Sequence, residues 1–366
     1  MSVDGSGQER RAAADGVPPI AESVRRYEAW LAAQLPGAVV AADLAAKHDR
    51  MREGAFPFLR ASYWRWAERA PTLLPELMTA PPILAIGDTH LENFGTWRDA
   101  EGRLVWGVND FDEAAVMPYP LDLVRLAVSA LLGHGSGSAG PVCKAIWQGY
   151  AEGLAAPAPV ILERDHGWLR EAILLPEKAR AKWWARLDRA DEPVPPHYRA
   201  ALAAAMPEPG LAFAAFARTA GTGSLGRPRY AALALWRGAP VVRECKPILP
   251  SAWTQFAEAR TEPPRAAAIA GAATRAVDPH YRVADGLVVR RLSPNSRKVE
   301  VGDAGDLLFS APMLRLMGAE IACCHAGDAA RLEAVRADVA GRDADWLRAP
   351  VRAAAAALRT DFEDFA

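Results

Sequence analysis

Between two blocks of helical periodicity the chain carries "PPILAIGDTHLENFGTWRDAEGRLVWGVNDFDEA", residues 81–114. Its two apolar runs, "PPILAIGD" and "RLVWGVND", are too short for helices and suit buried strands, and "RDAEG" reads as the turn before the second. Each run ends in a polar cluster: Asp88, His90 and Asn93 after the first, and Asp110, Asp112 and Glu113 after the second. Short strands that end in acids, set among helices, specify an α+β chain whose chemistry sits on loops at strand ends.

The flanks agree with that class. Ile20 to Ala80 repeats apolar residues at three- and four-residue intervals, and so does Leu121 to about Ala205, interrupted by loop-like "GHGSGSAGP" and "DEPVPPH". "KARAKWWARL" predicts a basic amphipathic helix with Trp183 or Trp184 in the core; calmodulin-target and membrane-surface readings exist for such a helix. From "TAGTGSLGRPRYAALALWRGAPVVRECKPI" the texture turns to β: a glycine-rich turn, a strand, the turn "RGAP" and a strand ending near Lys246. "LVVRRL" predicts another strand, and the last 60 or so residues are helical. The expected organisation is a disordered tail over 1–18, a helical large lobe over 19–205, a small β-rich lobe over 206–300, and C-terminal helices over 301–366 that return to the large lobe.

Charge narrows the partners. Lys and Arg number 43 against 44 Asp and Glu, a net charge of -1, so the basic footprint of a dedicated nucleic-acid binder is missing. No stretch has the length of a signal peptide or an uncharged membrane span, so no membrane partner is expected. Cys143, Cys245, Cys323 and Cys324 show neither zinc spacing nor a disulfide framework, which predicts a reducing cytoplasm. The sequence does not specify an oligomeric state.

The motif spacing points to phosphoryl transfer. That chemistry aligns an acceptor hydroxyl and neutralises charge with magnesium held by acidic and amide oxygens. A kinase catalytic loop sets its base Asp five residues before a metal-binding Asn, as Asp88 stands to Asn93, and a second metal Asp follows a hairpin, as Asp110 and Asp112 do here. Gly221, Gly223 and Gly226 form G-x-G-x-x-G. A strand rather than a helix follows them, which favours a kinase glycine loop over a dinucleotide fingerprint; a plain hairpin with glycines at its bend is the other reading. Lys246, on the next strand, stands where a kinase places its phosphate-gripping lysine.

As a set, "KHDRMREGAFPFLRASYWRW", "GDTHLENFG", "NDFDEA", "PLDLVRLAVS", "GTGSLGRPRY" and "RECK" resemble a bacterial family catalogued as domain of unknown function 2252. They are also similar to the protein-kinase-like superfamily, in particular its aminoglycoside and choline kinase branch. The resemblance implies a two-lobed kinase-like fold, circularly permuted because the catalytic and metal motifs precede the glycine loop and lysine. "MLRLMGAEIACCHAGD" would then be the helix that enters the catalytic loop. Asp122 matches an Asp that braces that loop, with a plain N-cap as the alternative. His90 stands where aminoglycoside kinases carry His.

The roles expected are Asp88 as base with His90 beside it, Asn93, Asp110 and Asp112 on magnesium, and Gly221, Gly223, Ser224, Gly226 and Lys246 on the phosphates of ATP. The acceptor is unidentified, and nucleotidyl transfer is not separated from phosphoryl transfer. Asp88→Ala is expected to abolish turnover with little effect on folding. Glu258 and Glu262 are candidates to pair with Lys246. Two other classes stay open: a non-catalytic nucleotide-binding pseudokinase, and a metallophosphoesterase in which Asp88 and His90 bind metal.

Overall fold

The computed structural model describes residues 16–134 and 138–366. Four helices come first: α1 (Ile20–Gln34), α2 (Ala41–Arg52), α3 (Ala55–Ala61) and α4 (Tyr63–Leu73). Helix α1 buries Ile20, Ser23, Tyr27 and Leu31, the single stripe its spacing predicts. The strand β1 (Pro82–Ala85), the hairpin β2 (Phe94–Arg98) and β3 (Leu104–Val108), and β4 (Ala115–Pro118) follow. The two expected strands do not pair with each other. Instead β1 pairs antiparallel with β4, and β3 is the middle strand of a second antiparallel sheet, β2-β3-β5, with β5 at Val160–Ile161.

Helix α5 (Pro120–His134) is buried at every position from Pro120 to Leu131, which makes it the axis of the helical body. Helix α6 (Ala139–Ala155) comes next, then α7 (Gly167–Ile173), α8 (Glu177–Ala185) and α9 (Pro196–Ala204). The strands β6 (Phe213–Ala217), β7 (Tyr230–Trp236) and β8 (Ala239–Pro247) precede α10 (Ala266–Ala270), and β9 (Arg282–Ala284) and β10 (Leu287–Leu292) complete a sheet of order β6-β7-β8-β10-β9. Every pairing in it is antiparallel. Between β7 and β8, Arg237 and Gly238 have φ of 50° and 82°, the left-handed pair that a two-residue hairpin turn requires.

The C-terminal helices are α11 (Val301–Leu308), α12 (Ala311–His325), α13 (Leu332–Gly341) and α14 (Arg348–Phe365). Helices α6 and α12 touch backbone to backbone. A Cβ on Gly149 would lie 1.8 Å from the Arg315 carbonyl oxygen, and one on Gly318 would lie 2.2 Å from that of Ile146. Helix α14 is tied to the N-terminal helices by Asp361, which accepts from Arg65 at 2.8 Å.

Three expectations change. Val17 is buried and the Pro18 carbonyl accepts from Arg65 at 2.9 Å, so the packed chain starts before residue 18; residues 1–15 of the expected tail, and 135–137 of "GHGSGSAGP", lie outside the described residues. Helices α8 and α9 do not belong with the large helical body. Tyr198 and Leu202 of α9 pack on Ala215, Ala232 and Cys245, while Trp183 and Trp184 of α8 pack against Phe216, Ala231 and Val242 on the other face of the five-stranded sheet. Both Trp are half-buried rather than in the core. No helix among the described residues is long and apolar enough to cross a membrane. The four cysteines are buried and unbridged.

Candidate functional site

Residues 86–93 leave β1 as a loop whose backbone is fixed from behind. The Asp122 carboxylate accepts from the N–H groups of Ile86 and Gly87 at 2.8 and 2.9 Å, and the Thr89 hydroxyl donates to the Asp122 carbonyl at 2.7 Å. Asp122 lies in the first turn of α5 and is a brace, not an N-cap. His325, the last residue of α12, adds a second layer. Its ring nitrogens lie 3.0 Å from Asp122 Oδ2 and 2.9 Å from the Tyr150 hydroxyl oxygen, all buried. Gly87 has φ of 88°, and a Cβ there would come within 2.3 Å of the Glu113 carbonyl oxygen, so the loop also needs glycine at this turn.

Asp88 emerges from this support with one oxygen held. Its Oδ1 accepts from Arg125 Nε and Nη2 at 3.0 and 2.5 Å, and Arg125 is fully buried beneath it. Oδ2 is turned toward the glycine turn, where a side chain at Gly223 would begin 3.7 Å away. Burial raises the Asp88 carboxyl above its usual range against the opposing pull of Arg125. His90, two residues on, is buried on the same loop. Its Nδ1 accepts from the Glu92 N–H at 3.1 Å, which leaves the ring proton on Nε2. Burial, with Arg60 and Lys298 nearby, holds its pKa well below the usual value, so it is a neutral donor and not a base.

Asn93 joins the two acidic loops. Its Nδ2 donates to the carbonyls of Asp88 and Asp110 at 2.9 and 3.2 Å. Its Oδ1 and Asp110 Oδ2 both accept from the Lys298 ammonium at 3.4 Å. From the five-stranded sheet, 134 residues away in sequence, the Lys246 ammonium donates to Asp112 Oδ2 at 2.6 Å, and to Asp110 Oδ1 at 3.3 Å. Burial would raise the Asp110 carboxyl, but Lys246, Lys298 and Arg290 hold it well below the usual range. Neither Glu258 nor Glu262 reaches Lys246, because both are drawn to Arg260.

The face of the sheet that carries Lys246 is cationic at this end. Glu244, two residues earlier and so on the same face, is buried among Arg218, Arg229 and Arg290. Burial would raise its carboxyl, but the three guanidiniums hold it far below the usual range. The glycine turn, 218–229, connects β6 to β7 and is clasped by α2: the Lys47 ammonium donates to the Gly223 carbonyl at 3.0 Å, and Arg50 to Thr222 Oγ1 at 3.1 Å. Gly221, Gly223 and Ser224 line the cleft with Asp88, His90, Asn93, Asp110 and Asp112. Gly226 does not line it. Its φ of 95° sets it against Leu44, and its carbonyl accepts from Val40, so its role is packing.

Most of these groups line one cavity of about 380 Å³, walled by ten Arg and Lys against six Asp and Glu; Lys246, Glu244 and Arg125 are buried and are not part of its lining. The oxygens available to a hard cation are Asn93 Oδ1, both oxygens of Asp110, and Asp112 Oδ1, which is buried without a hydrogen-bond partner. Among the described residues no three His, Cys, Asp or Glu side chains gather as a metal cluster. Sequence reasoning missed Lys47, Arg125, Arg218, Arg229, Arg290 and Lys298.

Residues 40–156 match the model of a family described as "Uncharacterized protein conserved in bacteria (DUF2252)". The matched stretch runs from α2 through α6 and holds Asp88, Asn93, Asp110, Asp112, Asp122 and Arg125; the sheet with Lys246 lies beyond it. No curated protein and no solved structure matches the chain.

Proposed function

We propose that the protein is an ATP- and magnesium-dependent phosphotransferase acting on a hydroxyl acceptor, with a circularly permuted kinase-like fold. The observation that carries the reading is the meeting of Lys246 with Asp110 and Asp112 beside Asp88 and Asn93. The layout around it supports the same conclusion. A glycine turn joins the first two strands of the five-stranded sheet and the lysine lies on the third, the positions these elements take in kinases. The end of α12 meets the brace of the 86–93 loop through His325, as a helix entering a catalytic loop would.

In this reading Asp88 Oδ2 accepts the acceptor's proton as the new O–P bond forms and the bond from the terminal phosphorus to ADP breaks. The raised Asp88 carboxyl suits a base, and Arg125 fixes its rotamer. Asn93, Asp110 and Asp112 would hold magnesium, whose chemistry is to draw charge from the transferring phosphoryl group. Lys246, buried outside the lining, would exchange its carboxylate contacts for the nucleotide phosphates, with Arg229 and Arg290 on the cavity wall. His90 donates through Nε2 from the cleft wall.

One observation favours a second reading. The Lys298 ammonium bridges the two oxygens that magnesium would need, and Lys246 lacks a glutamate partner among the described residues, as in a nucleotide-binding pseudokinase. A thermal-shift titration with ATP plus magnesium, followed by ADP release from wild type and Asp110→Asn, separates the two. Stabilisation with turnover that Asp110→Asn abolishes is the expected result. Stabilisation without turnover selects the pseudokinase, and no stabilisation refutes both.

A further inference from the structure

The cleft also specifies the charge of the acceptor. Each acid around Asp88 already has a cationic partner: Asp88 has Arg125, Asp110 has Lys246 and Lys298, Asp112 has Lys246, and Glu113 has Arg227 at 3.4 Å as well as the Ala252 N–H at 2.7 Å. No acid of this group is left to recognise an amine. Three cations that line the cavity with Asp88 are less completely matched. Lys47, 2% exposed, touches no carboxylate among the described residues; its partners are the Gly223 carbonyl at 3.0 Å and the Tyr27 hydroxyl at 3.3 Å. Arg227 is 6% exposed, its two contacts to acids are long, at 3.5 and 3.4 Å, and its Nε is buried without a partner. Arg60 pairs through Nη1 with Glu92 at 2.5 Å, but its Nε is buried and unpartnered.

These three line the same cavity as Asp88, and Gly223 connects them: Lys47 holds its carbonyl, while a Cβ on it would lie 3.1 Å from the Arg60 carbonyl oxygen and 3.7 Å from Asp88 Oδ2. Tyr27 senses the surplus. Burial should raise its phenol, yet Lys47 and Arg227 pull it below the ordinary value. Buried donors without acceptors carry a free-energy penalty that a bound oxyanion removes.

We infer that the acceptor is an anionic small molecule whose oxyanion is held by Lys47, Arg227 and Arg60 beside Asp88. It shares the cavity with Arg218, Arg229 and Arg290, which the phosphotransferase reading assigns to the nucleotide. The inference rests on the phosphotransferase reading for the word acceptor, while the anion site stands on its own geometry.

The test is calorimetric titration of the full chain with inorganic phosphate at constant ionic strength, with the nucleotide wall filled by magnesium and a non-hydrolysable ATP analogue. Saturable phosphate binding is expected. Lys47→Met should weaken it about tenfold to a hundredfold, the worth of one charge-assisted contact, and Lys47→Arg should restore most of it. Failure of wild type to bind phosphate with the wall filled overturns the inference, whether or not the variants fold. So does unaltered binding in folded Lys47→Met, or an amine-bearing sugar that competes with phosphate. If the analogue itself does not bind, the phosphotransferase reading fails and phosphate is titrated alone: loss in Lys47→Met or Arg60→Gln upholds the anion site, and loss confined to Arg229→Gln overturns it.

Discussion

Removing the Asp88 carboxylate should damage the fold as well as the chemistry. Arg125 is fully buried, with its guanidinium 5.0 Å from the Tyr63 ring centroid and 5.6 Å from that of Trp66. Apart from Asp88, its one hydrogen bond among the described residues is to the Leu59 carbonyl at 2.8 Å. Asp88→Ala therefore leaves a cation in the core without a counter-charge. Breaking a buried pair from one side costs about 3–5 kcal/mol. The Asp88 side chain is 21% exposed, so water enters in its place and about 2–4 kcal/mol is the better figure. Against a total stability of about 5–15 kcal/mol that is a large loss, read for a chain of 366 residues as a fall in Tm of roughly 3–5 °C. The expectation that this substitution spares folding came from a sequence that does not reveal Arg125 as the partner. Thermal and urea unfolding of Asp88→Ala, Arg125→Met and the double variant test the argument. The double variant removes the stranded charge and should be at least as stable as Asp88→Ala alone. Wild-type stability in Asp88→Ala, or fully additive losses in the double variant, would refute the pairing.

Gly87→Ala should destabilise more than a typical exposed glycine substitution, because it adds a 2.3 Å clash with the Glu113 carbonyl to a φ of 88°. A drop of several degrees in Tm is expected, and a shift within a degree would show that the loop can relax. His280 supplies a pH test: burial, with Arg243, Arg291 and Arg282 nearby, lowers its pKa from 6.5 to about 4. Its unfolded form takes a proton first as pH falls, so its contribution is complete above about 6.5 and is lost toward about 4. His280→Gln should flatten that part of the urea-midpoint profile relative to wild type, and parallel profiles would contradict the assignment.

The parts of this fold that were legible in sequence are those set by local rules. The stripe of α1, the turn at Arg237 and Gly238, and the strand "LVVRRL" each follow from spacing or from backbone preference within a few residues. The pairing of β1 with β4 was not legible, since both strands are apolar and nothing local tells β1 that its partner is 33 residues on, beyond a hairpin. The acids of the site were visible because Asp and Asn clustered at strand ends are uncommon. The cations were not, because 43 Lys and Arg are spread over the chain and any one of them reads as a solvated side chain. Placement gives them meaning. Arg125 is found in buried α5, one turn from the brace Asp122, and Lys298 reaches the acids because Gly95 of β2 bridges to it. The consequence concerns function directly. Read in sequence, only the acids of the cleft stand out; folded, Asp88, Asp110, Asp112 and Glu113 each meet a cation, while Lys47 touches no carboxylate among the described residues, and on that difference the proposal of an anionic acceptor rests.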